Sequence, residues 1–171
     1  DDDVFLHGAC LGLGTSSMSS GDLNLVDALK TVLYRDSAVS GDAAAIAIGL
    51  VLHGSGNGEV ATEALQYAHE TQHEKIIRGI GLGVALIYAG LRDKADGIVT
   101  ELLDSPDALL RYGGVWTLAS AYAGTGENAA IARLLHVAVS DPSEDVCRVA
   151  VMALGILLCQ APSELPRIVE L

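Results

Sequence analysis

The sequence predicts an all-α solenoid of about five helix-turn-helix repeats, and two observations predict it. The first is a small-Gly-polar punctuation that recurs along the chain. It stands at Ser19-Ser20-Gly21-Asp22, Gly54-Ser55-Gly56-Asn57, Gly90-Leu91-Arg92-Asp93, Gly124-Thr125-Gly126-Glu127 and Ala161-Pro162-Ser163-Glu164. Successive copies are 35, 36, 34 and 37 residues apart. The second is an alternation about each punctuation, with an uncharged stretch before it and an amphipathic one after it.

The first helix of each repeat is read from the uncharged stretch. Eleven residues before the punctuation lies a small residue: Gly8, Ala43, Gly79, Gly113 and Ala150. Four residues earlier still, Val4, Val39, Leu109 and Val146 are apolar and Lys75 is the exception. The run Gly79-Ile80-Gly81-Leu82-Gly83-Val84-Ala85-Leu86-Ile87-Tyr88-Ala89 is the clearest copy and reads as a helix apolar all round, hence buried. Its glycines cost about 1 kcal/mol each against alanine and are tolerable where helices pack too closely for a side chain. The second helix is exposed on one side. Leu23, Val26, Leu29, Lys30 and Leu33 set its pattern, repeated by Val60, Ala64, Leu65 and Ala68, by Ile98, Leu102 and Leu103, and by Ile131, Leu134 and Leu135. The punctuation ends one helix and starts the next, with Asp22, Asn57, Asp93 and Glu127 near the new N-terminus.

Turns between repeats hold Asp36-Ser37, Asp104-Ser105-Pro106-Asp107 and Asp141-Pro142-Ser143-Glu144. Ser105 and Asp141 precede prolines, which disfavour helix at those positions. Repeats are therefore expected over 3–38, 39–74, 75–108, 109–145 and, in part, 146–171 of one repeat domain. Asp1-Asp2-Asp3 falls in the turn register, and the chain starts without Met, so it reads as a piece of something longer.

Composition removes several function classes. The chain has 171 residues, 10 Lys+Arg against 22 Asp+Glu and a net charge of −12. No basic cluster is present to displace counterions, which argues against nucleic acid and against an anionic membrane surface. The longest uninterrupted apolar stretch, 79–91, would span about 20 Å as a helix, short of a bilayer core of about 30 Å. Cys10, Cys147 and Cys159 sit among Ala, Val and Leu without metal-ligand spacing, and read as small core residues in a reducing compartment.

The pattern small-Ala-x-x-x-Leu-Gly-x-x-x-x-Gly-Thr-Gly-Asn, best carried by residues 44–57, 113–127 and 150–164, resembles the proteasome/cyclosome repeat. Two stretches point to one branch of that family: 130–141, Ala-Ile-Ala-Arg-Leu-Leu-His-Val-Ala-Val-Ser-Asp, and 145–151, Asp-Val-Cys-Arg-Val-Ala-Val. With Arg111-Tyr112-Gly113-Gly114-Val115 they are similar to the larger non-ATPase scaffold subunit of the proteasome regulatory particle. The resemblance implies inner Gly/Ala-rich and outer amphipathic helices, in an arc of a toroid of about twice as many repeats. It implies a scaffold in cytoplasm and nucleus that holds ATPase, lid and ubiquitin-receptor subunits, with no catalytic, cofactor-binding or metal-binding residues. Ubiquitin or a ubiquitin-like domain is the alternative partner, bound on the repeat surface. Apolar end faces predict self-association of the isolated chain.

Other motifs are weighed against that reading. His69-Glu70-Thr71-Gln72-His73 fits H-E-x-x-H, the spacing of a zinc hydrolase. Its register places it at a helix end and turn, a third ligand is lacking, and Glu101 has no reason to converge on it. Two solvated histidines are the expected outcome. His7, His53 and His136 stand alone among apolar residues and read as core or edge histidines. Gly54-Ser55-Gly56-Asn57-Gly58 lacks the Lys-Ser/Thr of a phosphate loop. The polar stretch 15–20 is expected to be a frayed helix end or mobile loop, with no evident base for a nucleophilic serine. Tyr112, Trp116 and Tyr122 are expected to fill core gaps on one helix, and Asp104, Asp107, Glu144 and Asp145 to form a solvated edge.

Overall fold

The structure, a computed structural model, describes residues 2–160. These fold into α1 (Asp2–Ser16), α2 (Leu23–Leu33), α3 (Ser40–Val51), α4 (Gly58–Ala68), α5 (Glu74–Ile87), α6 (Asp96–Leu103), α7 (Ala108–Ala121), α8 (Asn128–Ser140) and α9 (Glu144–Leu158). A 3-10 turn, Arg92–Ala95, precedes α6, and no strand occurs among the described residues. The odd-numbered helices stack in sequence, α1 on α3, α3 on α5, α5 on α7 and α7 on α9. Each even-numbered helix lies against the odd one that follows it. The fold is therefore an all-α solenoid of two rows. The fifth punctuation, 161–164, and the rest of the expected partial repeat lie outside the described residues.

Small residues set the spacing of the first row. A Cβ on Gly49 would lie 2.5 Å from the Gly83 Cα, one on Gly81 2.9 Å from the Gly113 Cα, and one on Gly14 2.8 Å from the Ala47 Cα. These helices meet backbone to backbone, so glycine's cost in helix propensity is offset by close packing. Between the rows, Leu29, Leu33, Ile76, Ile80, Leu118, Leu134 and Leu157 are fully buried. The core divides into two clusters, and Tyr88 and Ile98 pack against both.

The punctuation has a structural cause. Each of the four described copies places two left-handed residues two positions apart: Ser19 and Gly21, Gly54 and Gly56, Gly90 and Arg92, Gly124 and Gly126. This curl aims backbone N–H groups at the next first-row helix. Ser19 and Gly21 donate to the carbonyls of Leu50 and Val51, Gly54 and Gly56 to Leu86 and Ile87, and Gly124 and Gly126 to Ile156 and Leu157, all at 2.9–3.0 Å. Gly90 donates likewise to Ser120. C-terminal carbonyls of a first-row helix are thus capped from the preceding turn, those of Leu50 and Leu86 also accepting from His53 and Ala89 of their own turns. In three copies the residue between the two left-handed positions, Ser20, Ser55 or Thr125, accepts through its hydroxyl the N–H of the N-cap residue. Asp22 and Asn57 then cap α2 and α4 with their side chains.

Several expectations need correction. The third punctuation has Leu91 in place of the hydroxyl and Arg92 in place of the second glycine, so Asp93 enters a 3-10 turn and α6 starts only at Asp96. The buried run begins earlier than expected and stops at Ile87, where the turn begins. Residues 15–20 form a helix end and a turn: Thr15 and Ser16 lie in α1 with their hydroxyls bonded back to its carbonyls, and Ser19 donates to the Leu50 carbonyl. Leu23 and Val4, two of the recurring apolar positions, are exposed. Of the cysteines Cys10 alone is core; Cys147 is half-buried and Cys159 exposed.

Candidate functional site

The zinc-like motif is the first position to place. Helix α4 ends at Ala68 and α5 starts at Glu74, so His69 and His73 flank a turn, as their register predicted. They are not stacked on one helical turn, the arrangement H-E-x-x-H chemistry requires. His73 instead sits 3.9 Å from a carboxylate oxygen of Asp36. His69 lines a groove of about 280 Å³ together with Glu101 and Asp104, so Glu101 does approach it, contrary to expectation. Among the described residues no group of three or more His, Cys, Asp or Glu side chains could hold a metal ion.

Asp36 is a hub that the sequence showed only as a turn residue. It has left-handed backbone geometry, φ +55°, at the turn from α2 to α3. Thr71 donates to its carboxylate at 2.6 Å and Tyr67 at 2.8 Å. These hydrogen bonds, the one from Thr71 foremost, hold its carboxyl below the ordinary range. Burial, and then Asp36, push the Tyr67 phenol up to about 12. A related joint connects α2 and α4, where Glu63 accepts from Lys30 and Tyr34 and is also held in its ionised form.

The third joint is stronger. Arg111 of α7 donates through Nε and Nη2 to both carboxylate oxygens of Asp141, at 2.8 and 3.0 Å, with side chains only 12% and 8% exposed. Nη1 also donates to the carbonyls of Ser105 and Pro106. The Arg111 hydrogen bond holds the Asp141 carboxyl below its usual range. This clasp floors a groove of about 680 Å³ between α6 and α8, rimmed by Leu103, Arg133, His136 and Pro142. His136 is exposed there, not a core histidine. No sequence signal pairs Arg111 with Asp141; only the fold brings together residues thirty positions apart.

The remaining candidates separate. Ser19 Oγ lies 3.4 Å from His53 Nδ1, so a base stands beside a serine after all. That distance exceeds the 2.6–3.2 Å or so of an activated pair. Tyr122 lies just past α7 and donates to Asp96. Tyr112 and Trp116 are half-buried, meet edge to face at 6.2 Å, and Arg78 covers the Tyr112 ring. Asp107 caps α7, and Asp145 pairs with Arg78 and Arg148. Some of these contacts join helices and others lie within one; among the described residues none assembles a nucleophile, base and orienting group.

No protein-family model matches the chain. Individual relatives do. It is 53% identical over 169 residues, 99% of the chain, to 26S proteasome non-ATPase regulatory subunit 1 homolog A of Arabidopsis thaliana, and covers 17% of that protein. It is 46% identical over 171 residues to 26S proteasome regulatory subunit rpn2 of Schizosaccharomyces pombe, and 52% to RPN2 of Saccharomyces cerevisiae, covering 100% of the chain and 18% of each relative. The chain thus spans less than a fifth of the length of these relatives. At about half identity from end to end, over a two-row helical stack, it is similar along its whole length to part of the proteins named 26S proteasome non-ATPase regulatory subunit 1, or Rpn2.

Proposed function

We propose that this chain is one arc of a non-catalytic scaffold in the proteasome regulatory particle, holding ATPase, lid and ubiquitin-receptor subunits in place for ubiquitin-dependent degradation. The observation that carries the reading is the identity of 46–53% along the whole chain to subunits named as non-ATPase regulatory subunits. The geometry supports it. Backbone contacts such as Gly49 on Gly83, with a capping ladder across each turn, give a stiff surface built from neighbour contacts alone. The action is positional and uses no catalytic residue or cofactor. Its partners are other regulatory-particle subunits, in cytoplasm and nucleus. The arc is one repeat domain of a larger toroid, with repeats bounded as the sequence divides them.

A second reading takes ubiquitin or a ubiquitin-like domain as a ligand of the repeat surface. It is favoured by the grooves between second-row helices, the one between α6 and α8 being about 680 Å³. Titrating labelled ubiquitin with the chain and following amide shifts separates the two. The scaffold reading expects none at near-millimolar concentration; saturable shifts on ubiquitin's apolar patch would move the assignment to a receptor. We also propose that the chain alone self-associates, because Phe5 is 73% exposed at one end and Val151 60% at the other. A clean monomer by sedimentation at high concentration would count against this.

A further inference from the structure

Between the second-row helices α2 and α4 runs a trough. At one end a groove of about 430 Å³ is lined by Tyr34, Glu63, Gln66, Tyr67 and Glu70. A smaller one of about 160 Å³ continues it past Glu63 toward Asp27, Glu59 and Leu23. The rings of Tyr34 and Tyr67 meet edge to face with centroids 5.0 Å apart. Tyr34 is 44% and Leu23 54% exposed, so both ends of the trough present uncovered apolar surface.

The lining is acidic. Asp27, Glu59, Glu63 and Glu70 face a single base, Lys30, which Glu63 and Asp27 already hold. Glu59 and Glu70 are exposed, and neither side chain makes a hydrogen bond or ion pair among the described residues. Glu70 is close enough to both phenols for its charge to help raise their pKa. A negative field over an exposed aromatic face attracts a cation twice, by charge and by the ring quadrupole. Nucleic acid and a second copy of this chain, at −12, carry the wrong sign.

We propose that the α2–α4 trough docks a basic segment of a partner protein, one Lys or Arg head resting on the Tyr34 ring beside Glu70 and the segment's apolar side chains covering Leu23. Calorimetric titration at about 0.15 M salt tests this with a short capped synthetic peptide of Lys, Leu and Ala. Reversing the two unpartnered charges, Glu59→Lys with Glu70→Lys, weakens binding about tenfold or more. The same charge change on the 3-10 turn and α6, Asp93→Lys with Glu101→Lys, weakens it less than about twofold. The milder Glu70→Gln weakens it about threefold, and circular dichroism shows all three variants folded. Amide shifts map to Asp27, Tyr34, Glu59 and Glu70 in the unaltered chain. Equal weakening by both double variants, shifts away from this trough, or no binding would each overturn the proposal.

Discussion

Glycines that look alike in the sequence divide into two kinds once their neighbours are known. Gly83 faces the Ala45 carbonyl oxygen, where a Cβ would come within 2.5 Å, whereas a Cβ on Gly12 meets nothing within 4 Å. Gly83→Ala is therefore expected to cost about 1–3 kcal/mol by forcing α3 and α5 apart. Gly12→Ala is expected to stabilise by about 0.5–1 kcal/mol, because only helix propensity changes. Urea unfolding of both variants checks the contrast, and equal shifts would contradict the backbone-contact account. Arg111→Ala strands the nearly buried Asp141 carboxylate and is expected to cost about 3 kcal/mol. His69 and His73 flank a turn, so the dialysed chain is expected to hold no stoichiometric zinc; zinc lost on His73→Ala would reverse that expectation.

Each turn works as a joint, and its chemistry was partly legible. A glycine-hydroxyl-glycine-acid string signalled a helix end and a new cap, because only a few residue types take left-handed backbone or cap a helix. The string did not reveal that its N–H groups cap the following repeat, since that bond joins residues about thirty apart and exists only after stacking. Where Leu91 and Arg92 broke the string, the register still marked a turn but not the late start of α6. Arg92 has φ +51°. Arg92→Gly is expected to stabilise by about 0.5 kcal/mol, the relief of left-handed strain less glycine's entropy, read as a rise in midpoint. The all-helical two-row stack was legible because a turn signal recurs at a near-constant spacing. Asp36, Arg111 and the Tyr34–Tyr67 pair were not, because a single polar residue at an edge has no periodicity to announce its partner.

For the molecule as a whole, three carboxylates tie neighbouring helices and turns together. Asp36, Glu63 and Asp141 all ionise more readily in the folded chain, through hydrogen bonds from Thr71, Lys30 and Arg111 respectively. A depressed folded pKa gives stability that is full above the unfolded carboxylate value of about 4 and is lost as pH falls through the folded values. Acid unfolding is therefore expected to set in below about pH 4, with Arg111→Ala flattening the slope. Asp42, raised by burial, works in the opposite sense and blunts the loss. The central claim is that the arc acts by holding its shape. It is tested most directly by placing Gly83→Leu in the full-length subunit and measuring its incorporation into the regulatory particle on native gels, beside His69→Ala with His73→Ala. The glycine variant is expected to fail to assemble, and the histidine variant to assemble and support degradation normally. Normal assembly with leucine at position 83, or loss of degradation from the histidine change alone, would contradict the claim.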